Sequence, residues 1–152
     1  MAMPRKPVEI RDVDLEATLD LRTRVLRSHI PTVAASSPED HLPQTWHLGA
    51  FRDGRLVGVI SGFPQEQGAR PGAPAERFRF MAVELAEQGR GAGRALLAEV
   101  TARARHRGTR LLWANARDSA LDFYRRLGFE VVGEGFSDSV SGLPHHVVVL
   151  EL

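Results

Sequence analysis

The sequence predicts an α/β fold, because local patterns of residues give the element order β-α-β-β-β-α-β-α-β-β. Short segments with alternating apolar and polar residues are typical of strands, longer ones with helical spacing are typical of helices, and Gly- or Pro-containing turns separate them. With 152 residues, of which 43% are hydrophobic, the chain has the length of one domain. We therefore expect a single domain over residues 1–152, with a mixed, mostly antiparallel sheet flanked by helices.

The first half of the chain contains most of the predicted strands. Strands are expected over 8–13, 45–52, 55–63 and 77–83, and a helix from Asp14, its N-cap, to Arg27. Asp53-Gly54 is typical of a tight hairpin turn, so the second and third strands should form an antiparallel pair. In the fourth strand, alternation predicts that Phe78, Phe80 and Ala82 share one face.

The second half alternates between helix and strand. Helices are expected from the glycines at 89–93 to about Arg107 and over 119–128, and strands over 110–116, 129–136 and 145–152. Gly108 and Gly128 are typical helix ends, and Asp118 or Ser119 is the expected N-cap of the last helix. The long apolar run in 110–116 predicts a central strand.

Composition excludes several classes of function. The chain has no cysteine, so it has neither a disulfide framework nor a thiolate of its own. No apolar run approaches the roughly 20 residues that span a bilayer, and the N-terminus lacks the apolar stretch of a secretory peptide. We therefore expect a cytoplasmic protein with no membrane partner. No cluster has metal-ligand spacing, so no metal is expected.

The charge pattern gives no indication of a nucleic-acid partner. Net charge is +1, and three of the four arginines at 103, 105, 107 and 110 lie near a helix C-terminus, where cations interact favourably with the helix dipole. No aromatic residues are interleaved with them. A second group of arginines, at 22, 24, 27, 77 and 79, is expected to be a solvated face; an acceptor cleft that prefers acidic molecules is the alternative.

The segment QGRGAGRALL, residues 88–97, places three glycines before a predicted helix. A helix N-terminus has unpaired amides and a partial positive charge, so this turn is suited to hold phosphate. A Walker A loop is excluded because the Lys and Ser/Thr are absent. A dinucleotide fingerprint is excluded because Arg94 replaces its third glycine and no acidic residue ends the next strand.

Two patterns resemble the GNAT superfamily of acetyl-CoA-dependent N-acetyltransferases. The first is Gln88-x-x-Gly91-x-Gly93, which matches [QR]-x-x-G-x-[GA]. The second, N-A-R-x-x-A-x-x-F-Y-x-x-L-G-F-x-x-x-G, begins at Asn115. The tail, with its G-[LI]-P-H segment ending at His145, is similar to a bacterial subgroup of single-domain members.

The resemblance implies acetyl transfer to an amine, with acetyl-CoA as co-substrate. The implied coenzyme-binding residues are Met81, Ala82, Val83, Gln88, Gly89, Arg90, Gly91, Ala92, Gly93, Arg94, Asn115, Ala120 and Tyr124. Met81 to Val83 would bind the pantetheine arm like an added strand, Gln88 to Arg94 would enclose the pyrophosphate, and the Tyr124 hydroxyl would protonate the leaving thiolate. The implied partners are a small-molecule or peptide amine and, through the C-terminal strands, a second copy of the chain.

The residue at the position of the general base differs from the family pattern. Relatives often have a glutamate where this chain has Arg77, and Glu76 should point to the opposite face. His145 and His146, which open the last strand, are candidates because histidine titrates near neutral pH; Glu66, Glu84 and His47 are weaker ones. His145 is our choice of substrate-site residue, because it occupies the P-H position of the tail pattern. The missing glutamate leaves an alternative function, a non-catalytic regulatory module that binds acetyl-CoA. A purely structural glycine turn ranks third.

Overall fold

The computed structural model describes residues 6–152 and has the predicted order of elements. Its strands are β1 (Glu9–Asp12), β2 (Trp46–Arg52), β3 (Arg55–Pro64), β4 (Ala75–Val83), β5 (Leu111–Arg117), β6 (Glu130–Ser137) and β7 (Pro144–Glu151), and its α-helices are α1 (Leu15–Leu21), α2 (Ala92–His106) and α3 (Leu121–Arg126). Most bounds lie within one or two residues of the predicted ones; α1 and α3 are shorter.

The strands form one mixed sheet in the order β1-β2-β3-β4-β5-β7-β6, which confirms the predicted fold class and the central place of β5. All neighbours are antiparallel except β4 and β5. These two pair in parallel over only three residues each, 75–77 with 111–113. Beyond that point β4 and β5 continue without pairing with each other, so a gap opens between them in the middle of the sheet.

Helices α2 and α3 pack on one face of the sheet, which we call the helix face. Leu96, Leu97, Val100 and Ala104 form an apolar stripe along α2, and all four are buried. They form the main core with apolar residues from five strands and α3. Gly108, at φ 82°, ends the helix as predicted.

The opposite face, called the α1 face, is covered in part by α1. The predicted helix from Asp14 to Arg27 is a short α-helix continued by a π-helical turn over Arg22–Leu26. Thr18 and Arg22 of this segment are fully buried, whereas Leu19 is exposed. Arg22 is buried because it forms a bidentate ion pair with Asp40, at 2.9 and 3.0 Å.

One prediction about β4 is wrong. Phe80 has a positive φ of 54°, and the pairing register of β3 with β4 shifts beside it. This bulge breaks the alternation of side chains. Phe78 belongs to the core of the helix face, whereas Ala82 packs with Leu21 on the α1 face, and Phe80 lies against the Arg22 guanidinium at 4.3 Å.

The entry into α3 also differs from the prediction. Neither Asp118 nor Ser119 is the N-cap: both lie in a 3-10 turn over Asp118–Ala120, and Ala120 precedes the helix. The Asp118 carboxylate instead accepts a hydrogen bond from His146 Nδ1 at 2.6 Å. The two predicted turns at Asp53-Gly54 and Gly128 are confirmed by their positive φ angles. No helix within residues 6–152 has the length and apolar character to cross a membrane.

Candidate active site

A cavity of about 440 Å³ occupies the gap between β4 and β5. It is lined by β4 from Arg77 to Met81 and at Val83, by β5 from Ala114 to Arg117, and by residues after α1, before α2 and at the start of α3. The facing edges of the two strands have no strand partner across the gap. An extended chain inserted there can hydrogen-bond to these edges as an added strand does.

The cavity connects the two faces of the sheet. On β5, Leu112, Ala114 and Ala116 belong to the core of the helix face, whereas Trp113 belongs to a cluster on the other face. Since side chains alternate along a strand, Asn115 and Arg117 project to the same face as Trp113, the α1 face. Ligands that approach from opposite faces of the sheet would therefore meet in the gap.

The glycine turn lies at the helix-face end of the cavity. Gly89 and Gly91 have φ angles of 77° and 92°, which side chains rarely adopt, and the space beside both is open. The first helical hydrogen bond runs from Ala95 N–H to the Gly91 carbonyl at 2.9 Å. The preceding amides, Ala92 to Arg94, thus have no acceptor within the helix and are available to an anion.

The turn is held rigidly by its neighbours. The side-chain amide of Gln88 donates a hydrogen bond to the Val83 carbonyl at 3.1 Å, which connects the turn to the end of β4. The buried Glu87 accepts from Arg52 Nε at 2.7 Å, and Arg52 also donates to the Arg90 carbonyl. These contacts fix the turn to the β2–β3 hairpin.

Tyr124 lies on α3 with its ring in an aromatic cluster. The rings of Phe78, Phe123 and Phe129 have centroids 5.2 to 5.8 Å from it. The side chain is 6% exposed and lines the cavity, and its hydroxyl has no hydrogen-bond partner among residues 6–152. Burial raises the pKa of the phenol, so it remains protonated and able to donate a proton.

His145 lies at the start of β7 on the other side of the gap. It is 7% exposed, lines the cavity and stacks on Phe136. Its Nδ1 lies 2.8 Å from the Leu143 carbonyl, which can only accept, so we assign the proton of the neutral ring to Nδ1. Nε2 is then unprotonated and can accept a proton.

The structure brings together about half of the residues predicted for the site. The cavity is lined by Met81, Val83, Gln88, Gly89, Asn115, Ala120, Tyr124 and His145; it is not lined by Ala82, Arg90, Gly91, Ala92, Gly93 and Arg94. Ala82 and Ala92 are buried in the cores. Arg94 lies beside a separate depression with Leu97 and Leu127, and Arg90 is exposed. Gly93 packs close to Phe123, since a Cβ there would lie 3.3 Å from its ring.

The weaker base candidates lie outside the cavity lining. Glu76 projects to the helix face, as predicted from its place next to Arg77 on the strand. It is buried and accepts hydrogen bonds from Trp46, Arg107 and Thr109. Glu84 forms an ion pair with Arg24 at 2.6 Å. Of the others, His47 bonds Ser61, His146 bonds Asp118, and Glu66 accepts from Gly72 N–H.

The expected solvated face of arginines is wrong in part. Arg24 is exposed, but Arg22 and Arg27 are buried, and Arg27, Arg77 and Arg79 line the cavity. Arg22 is buried against Asp40 and Ser61, which are distant in the sequence, so the sequence pattern does not show its burial. Arg117, Asp138 and Ser141 also line the cavity and were missed; their only sequence indication is proximity to Asn115 and His145.

The sequence comparisons agree with this geometry. Residues 15–129 match the model of the acetyltransferase (GNAT) family. The chain belongs to this family. It is also 32% identical over 142 residues to the uncharacterized N-acetyltransferase YitI of Bacillus subtilis, covering 93% of this chain and 94% of that protein. The GNAT protein described here is thus an acyltransferase.

Solved structures show the same fold at low identity. An acyl-CoA N-acyltransferase from Pseudomonas aeruginosa superimposes with a TM-score of 0.74 at 21% identity, covering 93% of this chain and 98% of that one. A GNAT family acetyltransferase from Elizabethkingia anophelis, with acetyl-CoA bound, gives a TM-score of 0.70 at 15% identity, covering 97% and 100%. Among residues 6–152, no group of three His, Asp or Glu side chains is placed to hold a metal ion.

Proposed function

We propose that this GNAT protein transfers an acetyl group from acetyl-CoA to a primary amine by direct attack within a ternary complex. The observation that carries the proposal is the cavity through the sheet, with the glycine turn and Tyr124 on the helix face and His145 on the α1 face. A neighbour of the same fold has acetyl-CoA bound, which supports the choice of donor. The thioester supplies an activated acyl group.

The residues present fit such a coenzyme. The open space beside Gly89 and Gly91 and the free amides of Ala92 to Arg94 suit a pyrophosphate. The unpaired edges of β4 at 81–83 and of β5 near Asn115 suit the two amides of pantetheine, which can pair as a strand does. Exposed Arg90 and Arg94 near the turn can add charge-assisted bonds to phosphate.

His145 and Tyr124 would then handle the two protons of the reaction. The amine nitrogen forms a bond to the acyl carbon and gives a proton to His145 Nε2, directly or through one water. The carbon–sulfur bond breaks, and Tyr124 gives its proton to the leaving sulfur. Return of a proton from His145 to Tyr124 through solvent restores both groups.

Acetyl transfer is tested by incubating the protein with acetyl-CoA and a panel of primary amines that includes amino acids, polyamines and peptides. The proposal predicts release of free thiol that depends on one class of amine, with an N-acetylated product of the expected mass. Binding of acetyl-CoA without any product would favour the alternative, a coenzyme-binding regulatory module.

The proposed partners follow from this reaction. The acceptor is a small-molecule or peptide amine that enters from the α1 face. Cytoplasmic location, a single functional domain and pairing of two copies through the C-terminal strands stay predictions, which fractionation, limited proteolysis and sedimentation would test.

A further inference from the structure

The arginines of the α1 face are the part of the cavity that the proposed chemistry does not use. Arg27, Arg77, Arg79 and Arg117 line the cavity from three separate elements: the turn after α1, strand β4 and the end of β5. Arg27 and Arg117 both donate to the Leu26 carbonyl, so their guanidinium groups lie side by side. Four cations from distant parts of the chain thus converge on one end of the cavity.

These cations have few counter-charges. Arg27 is 6% exposed, and its Nε and that of Arg77 are buried without a hydrogen-bond partner among residues 6–152. Within the same residues, only Arg79 of the four has a carboxylate oxygen within reach, at 4.0 Å from Glu39. Buried cations without an anion are costly, so their retention indicates a ligand that supplies the anion.

Asp138 is the one carboxylate in the lining of the cavity formed by the described residues. Its Oδ2 accepts hydrogen bonds from the Val140 and Ser141 amides, at 3.1 and 2.7 Å, in the loop before β7. It attracts the arginines at longer range but does not neutralise them. Burial, followed by repulsion from Arg79, lowers the pKa of Arg77 to about 10, and burial also lowers the pKa of Arg27 and Arg117.

The phosphates of the coenzyme do not account for this cluster. The glycine turn that suits the pyrophosphate begins α2, which packs on the helix face, whereas Arg117 shares the α1 face with Trp113. The sheet separates the two groups of anion-binding residues. The cluster is therefore on the side from which the acceptor enters.

We propose that the amine acceptor carries an oxyanion, a carboxylate or a phosphate, which Arg27 and Arg117 bind on the α1 face while its amine reaches the gap beside His145. Guanidinium groups present paired donors that match the oxygens of both anions. Arg77 and Arg79 add positive potential around the same end of the cavity. The proposal rests on the proposed acetyl transfer and names the class of its acceptor.

The first test compares matched amines with the wild-type protein. Glycine is compared with glycinamide, and O-phosphoethanolamine with ethanolamine, by kcat/KM for thiol release from acetyl-CoA. The anionic member of at least one pair is expected to be preferred about tenfold or more, and the pair that shows the preference identifies carboxylate or phosphate. Equal or better turnover of the neutral members would overturn the proposal.

The second test needs neither coenzyme nor turnover. Thermal midpoints are measured with succinate, with phosphate and with chloride at equal ionic strength, for the wild type, the double variant Arg27→Gln/Arg117→Gln, and the control Arg126→Gln on the exposed side of α3. We expect one oxyanion to stabilise the wild type and the control but not the double variant. Identical responses of the three proteins would overturn the proposal; if the double variant does not fold, the matched amines decide.

A failure of the proposed function gives a different result. If acetyl-CoA yields no thiol with any amine while succinate or phosphate still stabilises the wild type and not the double variant, the anion site stands and the acetyl transfer does not.

Discussion

At the scale of single residues, the Tyr124 hydroxyl makes no hydrogen bond that stabilises the fold. Its ring is part of the core and the residue lines the cavity, but the hydroxyl bonds to no described residue. Burial raises the pKa of the phenol and keeps it in the acid form throughout the neutral range. The side chain is therefore suited to donate a proton in an apolar setting.

We expect Tyr124→Phe to lower kcat by about 10²-fold or more, because the leaving thiolate loses its proton donor. Coenzyme affinity and the thermal midpoint should change little, since no hydrogen bond of the fold is lost. Steady-state kinetics and a melting curve check both statements. Unchanged kcat would show that Tyr124 is not the acid.

His145 and His146 form a matched pair for testing the base. His145 lines the cavity with Nε2 free, whereas His146 is bonded to Asp118. His145→Gln is expected to lower kcat by about 10²-fold with a smaller change in KM, because a proton acceptor is lost. His146→Gln should retain activity. Equal effects of the two substitutions would argue against His145.

At the scale of elements, the pairing of β2 with β3 depends on a glycine. Gly62 lies opposite Trp46, and a Cβ at Gly62 would come within 2.1 Å of the indole ring and 2.8 Å of the Arg77 carbonyl. The indole also donates to Glu76 at 3.0 Å, so the ring cannot move freely. The hairpin, and with it the start of β4, needs a residue without a side chain here.

Gly62→Ala is therefore expected to reduce the free energy of unfolding by about 1–3 kcal/mol through overpacking. Gly68→Ala is the control, because nothing lies within 4 Å of its Cβ position. Urea unfolding of both variants measures the difference. Equal stability of the two would show that the Trp46 side chain repacks without cost.

The elements themselves were largely predictable, because local patterns determine them. The stripe of α2 and the turn at Asp53-Gly54 require no knowledge of distant residues. The bulge at Phe80 was not predictable, since alternation assumes a regular strand and no glycine marks the position of positive φ. The glycine turn and Tyr124 were identified from local motifs, whereas Arg27 and Arg117 meet only through tertiary contacts.

At the scale of the whole molecule, a buried ion pair joins three distant segments. Arg22 at the end of α1 binds Asp40 with two hydrogen bonds and also donates to Ala35 O and to Ser61 on β3. Arg22 further contacts the ring of Phe80, which lines the cavity. The pair therefore fixes the segment between α1 and β2 against the α1 face.

Asp40→Asn is expected to reduce the free energy of unfolding by about 3–5 kcal/mol at pH 7, because Arg22 is left buried without its counter-charge. Asp20→Asn is the control: its ion pair with Arg24 is exposed, so the free energy of unfolding should change little. Chemical denaturation compares the two. Similar losses would mean that Arg22 finds another partner.

The same pair gives a dependence on pH. Burial raises the pKa of Asp40, but hydrogen bonds from Arg22 and Ser37 outweigh it and hold the pKa below its ordinary value. A lowered folded pKa stabilises the fold above the unfolded value of about 4, and the stabilisation is lost as pH falls through the folded value. Unfolding curves from pH 7 to pH 3 should show a weaker acid dependence for Asp40→Asn than for the wild type. Parallel curves would contradict this assignment.

Binding of acetyl-CoA in the gap of the sheet through the glycine turn is tested most directly by thermal stability. The midpoint is measured with acetyl-CoA, CoA, NAD and ATP for the wild type, for Gly91→Glu, and for Gly72→Glu, a glycine of similar φ in an open loop. A ligand at a hundred times its Kd adds about 2.7 kcal/mol, which for this size is several degrees. We expect such a shift with the two CoA species alone, lost in Gly91→Glu and kept in Gly72→Glu. The absence of a shift with CoA and acetyl-CoA in the wild type would contradict it.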